Sequence, residues 1–404
     1  MHLDVAVVGG GPAGAAAAIT LARAGQRVAV LDKATFPRDK CCGDGLTTGA
    51  LRLLEQLGLE PGRVASWQTV DDVVVRSPSG REVVFPLPRD QGTYAAVARR
   101  LDLDAALLDV ARSCGVAVHD GHAVVGLQQD ADGVDLVVEG MDPVRARYVV
   151  AADGMWSPVR KLAGAGEIGY LGEWHAFRQY FTGVGPRAAR ELFVWFEPDL
   201  LPGYAWSFPL PGGGANVGFG IAREGGKVER VQDMRDLWPQ LLARPHIAAV
   251  LGPDAIPEAP HRAWPIPARI DRITRHAGRV LFAGDAVAAD DVLTGEGIGQ
   301  ALRTGILAAE AVVAAGPDRP AEAARRYDRS VDRALVADHR MSALLQRVLR
   351  HRKGARAAVR LAGATAWTRR NFGRWLFEDY PRAMLATPRR WRRRMFTGRG
   401  AYSP

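Results

Sequence analysis

The feature that most constrains the fold is the glycine-rich run at residues 9 to 14, which reads GGGPAG. An apolar, strand-like segment precedes it, and an alanine-rich, helix-like segment follows it. Glycines in this pattern permit a tight turn, close approach of a pyrophosphate to bare backbone, and close packing of the helix on the strand. The N-terminus of the helix then attracts the phosphate charge. The sequence therefore predicts a Rossmann-like dinucleotide site that includes Gly9, Gly11, Pro12, Ala13 and Gly14.

A second apolar, strand-like run ends at Asp32, which lies 21 residues after Gly11. An acidic side chain at this distance can accept hydrogen bonds from a ribose 2′-hydroxyl. The strand, the helix and the acid together make the glycine pattern far more specific than it is alone. We therefore expect Asp32 and its neighbour Lys33 to bind the nucleotide.

The composition is that of an ordinary soluble globular protein, with 48% hydrophobic and 24% charged residues among 404. The net charge of +9 is unevenly distributed, because residues 341 to 404 carry sixteen Lys and Arg against two acids. Only three cysteines occur, Cys41, Cys42 and Cys114, which do not make a disulfide framework. This cysteine usage suits a reducing cytoplasm, and the spacing of the histidines predicts no metal site.

The order of segments predicts a mixed α/β protein with a discontinuous first domain. Residues 70 to 87 read as a β-hairpin, and residues 172 to 221 are rich in strand patterns, aromatics and Pro/Gly turns. A buried strand at residues 278 to 285 and a helix at residues 297 to 315 then resume the first pattern. We expect a nucleotide-binding domain of residues 1–68, 92–170 and 276–330, an inserted antiparallel substrate-binding sheet of residues 69–91 and 171–275, and a basic helical region of residues 331–404.

Two later segments place an acid and a glycine at the end of a strand-like run. They are Asp153-Gly154 and Gly284-Asp285, the second followed by LTGEGI at residues 293 to 298. Together with the N-terminal run, this order resembles the FAD-binding fold of the glutathione reductase and para-hydroxybenzoate hydroxylase type. The resemblance implies FAD as cofactor, with Asp285 on its ribityl chain and Arg100 nearby. The further cofactor-binding residues expected are Cys42, Gly43, Arg100, Asp153, Gly154, Gly284, Asp285, Gly295, Gly297 and Ile298.

Two other segments resemble the geranylgeranyl reductase family, which includes the menaquinone reductases of actinobacteria. Residues 36 to 47, FPRDKCCGDGLT, are similar to that family's FPRDKxCGDGLT segment. Residues 202 to 209, PGYAWSFP, followed by GFG at residues 218 to 220, are similar to its PxYxWxFP and GxG pattern. Members hydrogenate isoprenoid double bonds. The resemblance therefore implies an FAD-dependent reductase of a polyprenyl lipid or quinone, with a menaquinone side chain as the first candidate.

Three side chains are candidates for the reaction itself. Cys42 lies near Lys40 and Arg38 in a glycine-rich loop, where cations would lower the pKa of a thiol, but it is also a residue type that packs in cores. Tyr204 and Trp206 alternate along a strand and so face one side, either as an aromatic wall for a prenyl chain or as core. The proton donor stays open between Cys42, Tyr204 and a water molecule.

The basic C-terminal region combines apolar residues at helical spacing with arginines around them. Its apolar positions include Leu344, Leu345 and Val348, and its last part sets Trp391, Met395 and Phe396 among Arg389, Arg390, Arg392, Arg393 and Arg394. Such a segment suits an anionic membrane surface, which would place the protein in the cytoplasm on the inner face of the cell membrane. A packed helix with a solvated face is the alternative. Nucleic acid is not expected, because no RNA or DNA module accompanies the arginines.

The reductase would need an external electron donor, NADPH or a ferredoxin-like protein, because only one nucleotide site is predicted. Other functions stay open on the same fold: a monooxygenase or halogenase, a flavoprotein quinone oxidoreductase, or a binding protein with a vestigial flavin site. Halogenases of this fold carry a WxWxIP segment and a lysine. Here the nearest run is YAWSFP, and no lysine lies between Lys40 and Lys161.

Overall fold

The computed structural model describes residues 1–223, 231–388, 391 and 395–403. Five arginines of the predicted basic tail lie outside the described residues, and they are Arg389, Arg390, Arg392, Arg393 and Arg394.

Strands and helices alternate along the chain. The strands are β1 (His2–Val8), β2 (Val28–Asp32), β3 (Gly45–Thr47), β4 (Gln68–Thr69), β5 (Asp72–Arg76), β6 (Glu82–Pro86), β7 (Ala95–Val97), β8 (Ala117–Asp120), β9 (Val124–Gln129), β10 (Val134–Val138), β11 (Val144–Ala151), β12 (Trp174–Thr182), β13 (Leu192–Trp195), β14 (Tyr204–Leu210), β15 (Gly214–Ala222), β16 (Ile256–Pro257), β17 (Arg262–Ile266), β18 (His276–Ala277) and β19 (Val280–Phe282). The α-helices are α1 (Pro12–Arg23), α2 (Thr48–Gln56), α3 (Arg100–Ser113), α4 (Pro158–Leu162), α5 (Val231–Leu242), α6 (Pro245–Leu251), α7 (Ile298–Ala315), α8 (Pro320–Val331), α9 (Ala337–Leu349), α10 (Arg352–Ala362) and α11 (Ala366–Leu376).

The first sheet has the order β18-β19-β11-β1-β2-β8, and β10 and β9 extend it from β11. Its central pairs are parallel, and Val8 at the end of β1 lies opposite Leu31 of β2 and Ala151 of β11. Ala151 in turn lies opposite Phe282 at the end of β19. The carboxyl ends of these four strands therefore meet at one edge, which is where open α/β sheets bind ligands.

Small residues bring the helices of this domain close together. The alanines of α1 are almost all fully buried, and a Cβ added to Gly305 of α7 would lie 2.0 Å from the carbonyl oxygen of Ala13 in α1. Among the described residues, α7 is the one helix long and apolar enough to cross a membrane, and two thirds of it is buried here. Its contact with α1 accounts for that apolar composition, since a buried core helix has the same character.

The second sheet has the order β16-β12-β15-β14-β13-β5-β6, with β17 paired to β12. Its pairs are antiparallel except for β13 with β5. The predicted hairpin at residues 70 to 87 is confirmed as β5 and β6. The strands of this sheet lie within the segments 69–91 and 171–275, while the domain boundaries themselves stay predictions. A small sheet, β3-β7-β4, completes the β-structure.

The described part of the C-terminal region packs on the body of the protein. Tyr94 donates its hydroxyl hydrogen to the carbonyl of Gly398 at 2.7 Å, and Thr93 forms a β-bridge with Ala401. Several large apolar side chains of α9, α10 and α11 nevertheless stay exposed: Leu344 (53%), Val348 (46%), Leu361 (70%) and Trp367 (61%). The region therefore combines the packed arrangement with an uncovered apolar surface.

Candidate functional site

A cleft of about 540 Å³ opens at the edge where the parallel strands end. Helix α1 begins there directly after Gly11, with Pro12 in its first turn. The first N–H groups of a helix have no partner within it, so this end of α1 is a site for negative charge. The local fold thus directs an anion-binding helix end at the cleft.

Two glycines make this turn possible. Gly9 has a φ of +105°, and a Cβ there would lie 2.3 Å from the carbonyl oxygen of Ala152. A Cβ on Gly14 would lie 1.8 Å from the carbonyl oxygen of Gly9. A side chain at either position would force α1 or β11 away from β1. Gly14 therefore lies beneath the turn and does not border the cleft.

Two of the predicted acids hold turns at the cleft through main-chain and hydroxyl groups. Asp32 accepts hydrogen bonds from the N–H groups of Gly10 at 2.6 Å and Ala34 at 2.8 Å. Asp153 accepts one from the Ser157 hydroxyl at 2.5 Å. Burial raises the pKa of Asp153 to about 6, although the Ser157 hydrogen bond opposes the shift. Both carboxylates border the cleft and retain lone pairs for further donors.

Cations cluster at the floor of the cleft. Arg100 makes two hydrogen bonds to Asp104, at 2.8 and 2.7 Å, and Arg38 pairs with the same carboxylate at 2.8 Å. The Lys40 ammonium lies 2.7 Å from Asp285. Burial pushes the pKa of Asp285 up, but the charges of Lys40 and Arg100 outweigh it and hold that pKa below its usual value. These groups would face the phosphates and the sugar chain of a dinucleotide.

Most of the predicted cofactor residues come together at this cleft. Those that border it are Gly9, Gly11, Pro12, Ala13, Asp32, Lys33, Arg100, Asp153, Gly154, Gly284 and Asp285. The others, apart from Gly14, border a second cavity, and they are Cys42, Gly43, Gly295, Gly297 and Ile298. Their individual roles stay predictions. Within the described part of the chain, no group of three or more His, Cys, Asp or Glu side chains is placed to hold a metal ion.

The second cavity has a volume of about 330 Å³ and adjoins the first. Seven residues border both spaces, namely Pro12, Lys40, Cys41, Arg100, Trp264, Asp285 and Ala301. The rest of its wall is mainly apolar and comes from the second sheet, the loop at residues 41 to 47, the LTGEGI run and helices α9 to α11. A ligand in the cavity would therefore lie end to end with a ligand in the cleft.

Aromatic rings on β12 and β14 form one wall of this cavity. Tyr204 and Trp206 are 6.0 Å apart between ring centroids, Phe208 lies 6.0 Å from Trp206, and Trp174 lies 6.4 Å from Tyr204. Tyr204 donates its hydroxyl hydrogen to the carbonyl of Thr294. Other aromatics of the sheet, such as Phe177 and Phe193, belong to the core on its opposite face.

Cys42 borders the cavity, but its thiol does not have the predicted character. The expected lowering of its pKa is wrong: burial raises the pKa of Cys42 to about 12, and the charge of Asp44 adds to the rise. The cations that prompted the prediction are engaged elsewhere, Lys40 with Asp285 and Arg38 with Asp104. Cys42 is thus a neutral thiol, and all three cysteines are free.

The C-terminal region is joined to the LTGEGI run through buried polar groups. Asp291 accepts hydrogen bonds from Thr294, at 2.9 Å from both its N–H and its hydroxyl, and from the Ser342 hydroxyl of α9 at 2.6 Å. The buried Arg382 lies 3.4 Å from Asp291 and 3.3 Å from Glu378. The loop on this side of the cavity is therefore held from the C-terminal end.

Comparison with known proteins agrees with this architecture. A family model described as an FAD binding domain matches residues 2–199. The menaquinone reductase of Mycolicibacterium smegmatis is 34% identical over 338 residues, which cover 78% of this chain and 77% of that protein. Digeranylgeranylglycerophospholipid reductase 1 of Methanopyrus kandleri is 31% identical over 341 residues, which cover 81% and 85%. The chain belongs to the geranylgeranyl reductase family.

The fold is shared with a solved structure, that of a geranylgeranyl bacteriochlorophyll reductase-like protein from Thermoplasma acidophilum. The two superpose with a TM-score of 0.80 at 19% identity, covering 96% of this chain and 99% of the other. The predicted family, the mixed α/β fold, the enzyme class and the FAD cofactor are confirmed. This geranylgeranyl reductase family member is an FAD-dependent oxidoreductase.

The cleft of this family member suits FAD. A Cβ on Gly11 would lie 3.6 Å from the Arg38 guanidinium and 3.7 Å from that of Arg100, so bare backbone and two cations surround one space. A pyrophosphate needs this combination of close backbone, helix N-terminus and positive charge. The strand-end acids Asp32 and Asp285 border the same cleft and would take the hydroxyl groups of the cofactor.

The amino-acid sequence did not predict the C-terminal wall of the cavity. Helices α9, α10 and α11 contribute Leu345, Val348, Leu349, Ala358, Val359, Phe372, Trp375 and Leu376 to it. The apolar spacing at residues 341 to 349 was the available signal, but such spacing predicts an apolar face without specifying what it covers. It also missed the polar partners behind the Cys42 loop, because Asp44, Tyr180 and Asn216 are far apart in the chain.

Proposed function

We propose that this enzyme hydrogenates isoprenoid C=C bonds of a polyprenyl lipid, with a menaquinone side chain as the first candidate substrate. The observation that carries the proposal is the apolar cavity of about 330 Å³ next to the cofactor cleft. A cavity walled by aromatic and aliphatic side chains suits a prenyl chain, which has no group to bind by hydrogen bonds. The names of the relatives support the same substrate class.

FAD, when bound and reduced, supplies a hydride for the double bond. The chain's own residues have the tasks of holding an unactivated alkene beside the cofactor and keeping water away from it. Trp206 and Tyr204 on one side and Leu345 and Phe372 on the other would hold the chain between two apolar walls. Positioning of this kind is the main contribution that a protein makes when the cofactor carries the chemistry.

The second carbon of the alkene needs a proton. Tyr204 donates its hydroxyl hydrogen to the Thr294 carbonyl, so that proton already takes part in a hydrogen bond that holds the loop. Cys42 borders the cavity as a neutral thiol, so Cys42 or a water molecule is the better candidate. An external donor, NADPH or a ferredoxin-like protein, would reduce the flavin again after each turnover.

The exposed apolar surface of α9 supports a peripheral position on an anionic membrane. Val348 both borders the cavity and is 46% exposed, so the cavity reaches the surface at this helix. Leu344, one turn away, is 53% exposed. Exposed cations surround these positions, among them Arg347, Arg352, Lys353, Arg356 and Arg360. A lipid substrate could then enter from the bilayer without crossing water.

Mass spectrometry of products tests the reaction. The bound FAD of the loaded enzyme is reduced with dithionite under nitrogen. Menaquinone or geranylgeranyl lipids are then added. We expect a gain of two hydrogens in the side chain. A substrate that gains oxygen under air indicates the monooxygenase, and a reduced quinone ring with an unchanged side chain indicates the quinone oxidoreductase. Either of those outcomes would overturn the proposal.

Sedimentation with lipid vesicles tests the membrane position. We expect the protein to bind vesicles that contain phosphatidylglycerol and not vesicles of phosphatidylcholine alone. The double change Leu344→Glu and Val348→Glu should abolish binding. Val137→Glu on β10 is the matched control, because Val137 is similarly exposed at 54% on a different element. If the double variant binds these vesicles as well as the unsubstituted protein does, the proposed surface is refuted.

A further inference from the structure

The loop that carries Cys42 contains an aspartate in an unusual position. Asp44 is fully buried and has a φ of +64°, the left-handed region that non-glycine residues rarely adopt. Gly43 and Gly45 on either side lie against the Phe208 ring, which a Cβ on them would approach to 3.4 and 3.2 Å. The surrounding structure therefore imposes this conformation on Asp44, and such imposed strain is concentrated at functional sites.

Three strands of the second sheet hold the loop through polar side chains. Asp44 Oδ2 accepts hydrogen bonds from the Tyr180 hydroxyl of β12 at 2.6 Å and from the Asn216 amide of β15 at 2.8 Å. The same Asn216 amide donates to the Cys42 carbonyl at 2.9 Å. Trp206 of β14 donates to Asn216 Oδ1 at 3.1 Å, which fixes the orientation of that amide. The position of the Cys42 backbone thus depends on the carboxylate of Asp44.

Asp44 also contacts the thiol directly. Its main-chain N–H donates to Cys42 Sγ at 3.3 Å. Both residues border the apolar cavity, and the second carboxylate oxygen of Asp44, Oδ1, is buried without a hydrogen-bond partner. The carboxylate of Asp44 acts on the thiol in an apolar surrounding, where one negative charge opposes a second negative charge on the sulfur.

We propose that Asp44 is a positioning residue for Cys42, which it holds at the cavity wall as a neutral thiol. Its carboxylate, fixed by Tyr180 and Asn216, sets both the place of the thiol and the cost of losing its proton. Within the proposed function, on which this role rests, a neutral thiol can give its proton to one alkene carbon as the hydride from reduced FAD reaches the other. The resulting thiolate then takes a proton from water.

The charged groups around the pair agree with this assignment. Burial raises the pKa of Asp44 to about 6, against the opposing charge of Arg178, so the carboxylate is ionised at neutral pH. Burial and the charge of Asp44 together raise the pKa of Cys42 to about 12, with Arg100 opposing and Glu296 adding. The main-chain N–H of Asp44 donates to the sulfur and by itself favours the thiolate, but the charge of the Asp44 carboxylate has the larger effect on the thiol and raises its pKa.

The test measures the titration of the thiol and not turnover. The FAD-loaded enzyme, in a background of Cys41→Ser and Cys114→Ser, is alkylated with iodoacetamide across a range of pH, and the peptide that contains Cys42 is quantified by mass spectrometry. Asp44→Asn keeps the hydrogen-bond acceptor and removes the charge. We expect the apparent pKa of the thiol to fall by about one unit, with alkylation about tenfold faster at fixed pH.

Asp39→Asn is the matched control, because it removes an equal charge that pairs with Arg178 and Arg262 and does not contact Cys42. An unchanged thiol titration in a folded Asp44→Asn protein, or an equal shift in Asp39→Asn, would overturn the proposal.

A second variant keeps the test decisive if Asp44→Asn does not fold. Tyr180→Phe removes one of the two hydrogen bonds to the Asp44 carboxylate but does not replace the charged group. The thiol pKa should then stay high or rise, and a fall would contradict the assignment. These readings need no substrate, so they separate the two proposals: a lowered thiol pKa in Asp44→Asn, combined with no alkene reduction by the unsubstituted enzyme, would retain the effect of Asp44 on the thiol and refute the proposed function.

Discussion

The cofactor cleft and the apolar cavity share a boundary but are built in different ways. The cleft is formed by turns at the ends of four parallel strands, with glycine backbone, a helix N-terminus and paired charges around it. The cavity is formed by large side chains from the second sheet, two loops and three C-terminal helices. The contrast shows that one protein can form a polar cleft from its backbone and an apolar cavity from its side chains.

The two regions should therefore respond differently to substitution. At Gly9 and Gly14, which form and support the turn of the cleft, an added side chain meets backbone, which cannot move without separating an element from the sheet. In the cavity, an added side chain meets other side chains and takes up empty volume. Four changes test this difference, and they begin with the one of largest expected effect.

Gly14→Val should prevent folding. Its Cβ would lie 1.8 Å from the carbonyl oxygen of Gly9, so α1 could not pack on β1. Soluble yield and circular dichroism of the purified protein measure the loss. Gly25→Ala is the control, because nothing lies within 4 Å of a Cβ added there, although Gly25 itself has a positive φ of +77°. Its cost should be about 1 kcal/mol. A folded, yellow Gly14→Val protein would show that the backbone contact is dispensable.

Arg382→Met should destabilise the protein by about 3 to 5 kcal/mol, because it leaves the buried carboxylates of Asp291 and Glu378 without their cation. This arginine joins the C-terminal wall to the loop between the two regions. Urea denaturation measures the change. The exposed Arg352→Met at the start of α10 should stay within about 0.5 kcal/mol. Equal stability of the two variants would mean that the junction contributes nothing.

Gly11→Val should fold but bind FAD about a hundredfold more weakly, a loss of about 2.7 kcal/mol. An added Cβ makes ordinary contacts of 3.6 and 3.7 Å in the protein itself, and the φ of Gly11, −75°, suits any residue. The side chain would nevertheless occupy the approach of the pyrophosphate. Flavin absorbance and titration of the apoprotein measure binding, while the melting temperature of the apoprotein should not change. Normal flavin content would place the pyrophosphate elsewhere.

Ala358→Trp should lower kcat/KM for a polyprenyl substrate about tenfold, or about 1.4 kcal/mol, because Ala358 borders the cavity from α10. Flavin content should remain normal, which distinguishes the cavity from the cleft. Ala357→Trp on the exposed side of the same helix is the control and should leave turnover unchanged. If both variants reduce turnover equally, the effect arises from the helix and not from lost volume.

The cleft could be predicted from the sequence because its determinants are local. The glycine run, Asp32 and the two strand-end acids each signal their role within a few residues, and the strand order then brings them together. The inserted sheet was predicted from the strand patterns at residues 70 to 87 and 172 to 221, and the resemblance of residues 36 to 47 and 202 to 209 to a known family added the expected reaction. The pKa of Cys42 was mispredicted because tertiary packing buries the thiol, and because its neighbours in sequence, Lys40 and Arg38, are paired with acids distant in sequence.

The cavity could not be predicted in the same way. Its C-terminal wall depends on how α9 to α11 fold back onto the second sheet, where α11 packs on β6, and helical spacing contains no information on that partner. The Asp44 network joins the Cys42 loop to β12 and β15, which lie more than a hundred residues further along the chain. Polar contacts of that range follow from tertiary packing alone.

The placement of the C-terminal helices has a consequence for biosynthesis. Every described residue that borders the cleft precedes residue 302, whereas the cavity also needs Leu345 to Phe377. A nascent chain on the ribosome thus acquires all its groups for the nucleotide well before the apolar cavity is complete. The order of synthesis is cofactor cleft first and apolar cavity last.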